Sequence, residues 1–392
     1  MKGQPEADPD RGGIIRRRRH RAAIGAGLLA CLALTAGVLS GAGSTAGGPS
    51  GPDATTAASP SKGLGPNTLA GQRTVVGFSG TSIPRSVRRG LAQGRIGGVI
   101  LFADNISSRS AVRSLTARLQ KLKRPKALRR YPLLIMTDQE GGLVKRLTGA
   151  PSASAAEMGR RGPAYSKKQG RLTGRNLKNA GINVDLAPVA DVARPGGNIA
   201  ATDRGFGSTV KGVVRSAVPF ATALEANGAA ATAKHFPGLG SVRLNTDDAV
   251  QKVRLSKAAL RKVDEAAYRP FINAGIDMVM VGTAIYPAFS RKPAAFEKKI
   301  VTGELRRRLG FGGVAITDAL GTVAARDFGG PRKLTPAGAR AGMDLMLFSD
   351  VASALEGQDS MADRVGSGRL DRAAFRRSVD RILRLRARLA RR

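Results

Sequence analysis

Asp138, Lys234, His235 and Asp318 each stand at the end of a short apolar run, and their types suit acid–base or nucleophilic work. Asp138 follows Leu133–Thr137 and opens the run Asp138-Gln139-Glu140-Gly141-Gly142. Lys234 and His235 follow Ala229–Ala233 and lead into Phe236-Pro237-Gly238, and Asp318 follows Val314–Thr317. A carboxylate can serve as nucleophile, acid or base, and a neighbouring lysine or histidine cation helps keep it ionised. Singly, each residue also has a structural role open to it: Asp138 or Asp318 as the cap of a following helix, His235 as a satisfied core histidine. Their joint occurrence at the ends of three separate runs is what points to one site.

The runs that would position these residues recur along the chain. They are Thr74–Phe78, Gly98–Phe102, Pro132–Thr137, Ile182–Leu186, Ala230–Lys234, Asp277–Val281, Gly313–Thr317 and Asp344–Phe348, each separated from the next by enough chain for a helix. Two intervening stretches carry helical spacing: Val112, Leu115, Leu119 and Leu122 form one stripe, and Leu260, Val263, Ala267 and Phe271 another. Near-continuous apolar strands alternating with amphipathic helices predict parallel strands buried on both faces, and their number favours an α/β fold of the closed (β/α)8 TIM-barrel type. Its chemistry belongs at the C-terminal ends of the strands, where the four residues above fall. A basic helix over 370–392 closes the chain, with Phe375, Val379, Ile382 and Leu389 expected against the barrel and its arginines in solvent.

Composition narrows the chemistry further. The 392 residues are 42% hydrophobic, enough for a sizeable core. Cys31 is the only cysteine and His20 the only histidine besides His235, which excludes intramolecular disulfides, cysteine metal frameworks and multi-histidine sites. No metal or other cofactor is expected. The net charge of +37 invites a nucleic-acid reading, but the basic residues are spread along the chain and no recognised nucleic-acid motif accompanies them. Specific nucleic-acid binding is not expected. Anionic cell-envelope polymers are the partner class that such a charge fits.

The N-terminal segment reads as an address. Arg16 to Arg19 and His20 precede the uncharged stretch Ala22–Val38, so residues 1–40 are expected to be a secretory signal or a membrane anchor. Leu28-Leu29-Ala30-Cys31 also resembles a lipoprotein box, although the apolar run continues past Cys31. Residues 41–66 are rich in Gly, Ser, Ala, Thr and Pro and are expected to form a flexible linker, with the folded unit over 67–392. The protein is thus expected to be exported, to the extracellular space or the cell envelope, with membrane contact only through this segment.

Several segments together resemble a known family. Asp138-Gln139-Glu140-Gly141-Gly142 with Arg146, then Gly181-Ile182-Asn183-Val184-Asp185-Leu186-Ala187-Pro188-Val189-Ala190-Asp191-Val192, then Lys234-His235-Phe236-Pro237-Gly238, look like the catalytic barrel of glycoside hydrolase family 3. The resemblance is closest to its single-domain bacterial β-N-acetylglucosaminidases. Asp203-Arg204-Gly205-Phe206-Gly207, Ile316-Thr317-Asp318-Ala319-Leu320 and Ala341-Gly342-Met343-Asp344 extend it in the same order. It implies a retaining glycosidase that removes terminal β-N-acetylglucosamine from cell-wall-type glycans. Asp318 would be its nucleophile, and Asp138, Arg146, Arg204, Lys234 and His235 would hold the sugar.

The sequence departs from that family where the acid/base should be. Relatives follow the Lys-His-Phe-Pro-Gly run with His-Gly and then an Asp-Ser-His triplet whose histidine is the acid/base. Here the triplet reads Asn245-Thr246-Asp247, followed by Asp248. Asp247 is therefore the expected replacement, its pKa raised by a closed site or by repulsion from Asp248. The alternatives are a catalytically impaired barrel that still binds glycan, and a barrel whose charge anchors it to polyanions. The chain has no tryptophan, so a sugar-stacking platform would have to come from Phe or from Tyr131, Tyr165, Tyr268 or Tyr286.

Overall fold

The computed structural model describes residues 59–392. The expected signal or anchor over 1–40, Cys31 and the linker up to residue 58 lie outside the described residues. Among the described residues no helix is long and apolar enough to cross a membrane.

All eight apolar runs form strands: β1 Thr74–Gly77, β2 Gly98–Ile100, β3 Leu134–Thr137, β4 Val184–Asp185, β5 Ala230–Phe236, β6 Met278–Val281, β7 Val314–Thr317 and β8 Met346–Phe348. They pair in parallel in the order β8-β1-β2-β3-β4-β5-β6-β7. The ring closes through a parallel bridge between Ile316 and Leu345, with the Thr317 amide donating to the Leu345 carbonyl at 3.0 Å. This is the (β/α)8 barrel that the alternation predicts. Two boundaries differ in a way that matters. β4 is reduced to two residues, and β5 runs on to Phe236, so Lys234 and His235 project from within the strand instead of following it.

The first helical stripe is a regular helix, Arg109–Lys121, opened by the Ser108 hydroxyl accepting from the Ala111 amide and burying Val112, Leu115 and Leu119. The second is wound irregularly, with a wide turn over Leu260–Asp264 and a tight one over Glu265–Ala267 before the helix Tyr268–Asn273. That winding turns Asp264 and Glu265 inward, where they pair with Arg194 and Arg308.

The C-terminal helix Arg372–Leu389 starts at Asp371, whose carboxylate accepts from the Ala373 and Ala374 amides. Ile382, Leu385 and Leu389 join the cluster inside the barrel that includes Val75, Ile100, Leu134, Met278 and Val314. The helix thus seals the N-terminal end of the barrel, opposite the end expected to carry the chemistry. Its arginines do not all face solvent, which corrects the expectation above. Arg386 is 1% exposed and donates to the carbonyls of Tyr131 and Pro132, while Arg381 pairs with Asp344, and Arg388 with Asp277. The carbonyls and carboxylates just before β3, β6 and β8 need donors, and the helix supplies them. The Ser59 hydroxyl bonds Asp380 on this helix, as the Ser61 amide does.

Candidate active site

The hairpin after β3 builds one wall of the barrel mouth. Residues Gln139–Gly141 pair antiparallel with Val144–Lys145, and the Gln139 side chain clamps the turn. Its amide donates to the Leu147 and Ala150 carbonyls at 2.9 Å each, while its oxygen accepts from the Arg146 and Leu147 amides. Gly141, at φ 98°, passes so close to Ala153 that a Cβ would lie 2.2 Å from the Ala153 carbonyl oxygen. Glu140 and Arg146 are thereby turned into the mouth.

Lys234 reaches that wall from β5. Its Nζ lies 2.7 Å from both Asp138 Oδ1 and Glu140 Oε1. Arg204 closes on Glu140 from the other side with two bonds of 2.8 Å, Nε to Oε2 and Nη2 to Oε1. Burial alone would raise the Glu140 pKa, but the charges of Lys234 and Arg204 outweigh it and hold the carboxyl at about 2. Burial likewise works against the Lys234 cation, and Asp138 and Glu140 overcome it, so its pKa stands above the ordinary lysine value. These groups stay ionised and fixed, which is what binding neighbouring hydroxyls requires.

His235 is oriented from behind. Asp191 Oδ2 lies 2.8 Å from His235 Nδ1, and Asp191 Oδ1 accepts from the Leu239 amide at 2.7 Å. With Nδ1 so engaged, Nε2 is the nitrogen available to the mouth. The loop after β5 can lie against the loop after β4 because residue 240 is glycine: a Cβ there would sit 1.8 Å from the Val192 carbonyl oxygen.

Asp138, Arg146, Arg204, Lys234, His235, Asp247 and Asp318 all line one cavity of about 260 Å³ at the C-terminal ends of the strands. All seven residues singled out in the sequence therefore meet in one place, with room for about one pyranose ring. Asp318 is half-buried, and its carboxylate accepts from the Ala319 amide at 2.8 Å. Asp247 lies on an exposed loop and leans over the cavity. Burial of its carboxyl and, next, the charge of Asp318 push its pKa up, against a hydrogen bond from Asn245 and the influence of His235. The repelling charges are thus those of Asp318 and Asp138 and not that of the adjacent Asp248, which is exposed and does not line the cavity.

Three residues escaped the sequence reading. Glu140 and Asp191 sit within recognised runs, yet their functions as clamp and orienter emerge only in three dimensions. Asp185 is fully buried beneath the site, accepts from the Gln139 amide, and is pushed well above the usual carboxylate range by burial. None of the four tyrosines lines the cavity, and Phe102 is its one aromatic residue. Among the described residues no cluster of His, Cys, Asp and Glu is arranged to hold a metal ion.

Comparison with known proteins agrees with this geometry. The glycosyl hydrolase family 3 N-terminal domain matches residues 70–385. An uncharacterized secreted glycosyl hydrolase of Arthroderma benhamiae is 36% identical over 82% of this chain and 93% of its own length. A β-hexosaminidase of Xanthomonas oryzae is 32% identical, over 70% of this chain and 82% of its own. Among solved structures, a family 3 β-N-acetylglucosaminidase from Paenibacillus superposes with a TM-score of 0.79 at 30% identity, covering 83% of this chain and 63% of that one. A β-N-acetylhexosaminidase from Beutenbergia cavernae gives 0.76 at 28%, covering 82% and 98%. With its closed barrel and this charged mouth, the chain belongs to glycosyl hydrolase family 3, the enzymes that hydrolyse O-glycosyl bonds.

Proposed function

We propose that the protein is an exported, retaining β-N-acetylhexosaminidase that removes terminal β-N-acetylglucosamine from cell-wall-type glycans. The hexosaminidase relatives and the secreted relative support this reading. The observation that carries the mechanism is that Asp318 and Asp247 line one cavity, where burial and, next, the charge of Asp318 push the Asp247 pKa up. Asp138, Arg146, Arg204, Lys234 and His235 hold the non-reducing sugar. An Asp318 carboxylate oxygen attacks the anomeric carbon, the glycosidic C–O bond breaks, and Asp247 gives its proton to the departing oxygen. Esterified Asp318 has lost its charge, so Asp247 becomes a stronger acid and stays deprotonated. In that state it takes a proton from water as the water attacks the anomeric carbon, and the ester bond breaks to restore Asp318.

The test is turnover of nitrophenyl and natural β-N-acetylglucosaminides by the full chain and by Asp318→Asn. The substitution should remove most turnover while leaving folding and sugar binding intact, and azide should partly restore release of a good leaving group. Equal turnover by the variant would overturn the assignment of the nucleophile. Sugar binding without turnover by the wild type would instead identify an impaired, glycan-binding barrel.

A further inference from the structure

Among the described residues, the large hydrophobic side chains classed as exposed are Leu143, at 76%, and Leu244, at 59%. Both flank the same mouth. Leu244 lines the cavity itself, on the loop that carries Asp247, and Leu143 is the tip of the hairpin whose next residue, Val144, also lines it. Hairpin tips ordinarily take Gly, Asn or Asp; here Gly142 takes the positive φ of 58° and a leucine stands in water beside it. Single exposed leucines are ordinary, but this pair is confined to the rim of the catalytic cavity.

The rim also lacks what a second sugar would need. With Phe102 as the only aromatic residue lining the cavity, there is no broad platform for stacking another pyranose outside the bond to be cleaved. We propose that Leu143 and Leu244 form the aglycone subsite, and that the enzyme selects terminal β-N-acetylglucosaminides whose aglycone presents an apolar surface, alkyl or aryl, next to the scissile oxygen. The inference rests on the hexosaminidase activity and narrows the glycan reading: the leaving unit is one that carries an alkyl or aryl group beside the scissile oxygen.

Alkyl β-N-acetylglucosaminides from methyl to octyl, kept below micelle formation, isolate this contact. Their alcohols differ little in acidity, so a change along the series reports contact and not leaving-group chemistry. For the wild type, kcat/KM should rise about two- to fourfold per methylene over the first carbons and then level off. In Leu143→Ser/Leu244→Ser, checked for an unchanged circular dichroism spectrum, the octyl-to-methyl ratio should fall by about tenfold. A flat wild-type series, or a slope that survives in the double variant, overturns the inference. So does a concentration-dependent dimer that the two serines abolish, which would give the leucines to a second copy of the chain. Binding of the corresponding alkyl 1-thioglycosides reads the same contact without turnover. Chain-length-dependent binding that the serines remove, in a protein that hydrolyses nothing, supports the subsite while overturning the activity.

Discussion

Replacing Glu140 with Gln tests whether the charged wall of the mouth is held by ionic pairing. The substitution keeps the shape and an acceptor for Lys234 and Arg204 but removes the charge they share. The fall of the Glu140 pKa from 4.5 to about 2 corresponds, at 1.36 kcal/mol per pH unit, to about 3 kcal/mol of stability at neutral pH. A depressed folded-state pKa contributes fully above the unfolded value, 4.5, and its contribution disappears as pH falls through the folded value, about 2. Urea unfolding of wild type and Glu140→Gln should therefore differ by about 3 kcal/mol at pH 7 and by about half that at pH 3. Because the amide leaves Lys234 and Arg204 short of one counter-charge, the loss at pH 7 can exceed this figure. A difference under about 1 kcal/mol at pH 7, or one that stays constant down to pH 3, would refute the pairing argument.

Asp247→Ala should slow hydrolysis of natural glycosides about 10²- to 10⁴-fold, while sparing formation of the glycosyl intermediate from nitrophenyl substrates, as seen in a burst of nitrophenol. Since the Asp247 pKa is raised, the alkaline limb of wild-type kcat/KM on natural substrates should lie above the ordinary aspartate range and vanish in the variant. Equal loss on both substrate types would mark the loop as structural. At the sealed end, Ile382→Ala should cost about 2–5 kcal/mol in unfolding experiments while leaving KM unchanged, because its side chain fills the interior far from the mouth. A raised KM with unaltered stability would contradict that placement.

The strands were legible because a strand buried on both faces leaves little room for polar residues, and Thr74, Gly98, Val314 and their neighbours form such runs. Asp138 and Asp318 were legible for the same reason, as breaks at the ends of those runs. Glu140 was not, because its role depends on a hairpin whose paired segments are only three and two residues long, too short for a periodic signal. Asp191 follows a strand of two paired residues, so no strand end announces it. Arg386 misled because arginine is usually read as surface, whereas here it satisfies carbonyls that only the assembled barrel brings to it.

The helix that seals the barrel also dictates when the molecule can finish folding. Arg386 bonds Gln72 ahead of β1 and the carbonyls of Tyr131 and Pro132 ahead of β3; Arg388 bonds Asp277 ahead of β6; Arg381 and Ser378 bond Asp344 ahead of β8. Segments from across the chain thus wait for one helix that follows all of them in sequence. Until that segment arrives, the apolar interior stays open to water from below, and the earliest strand lacks both its closing neighbour and its polar partners. Assembly is consequently a late, concerted event of high contact order, and a nascent chain stopped short of residue 372 would remain a substrate for chaperones and proteases.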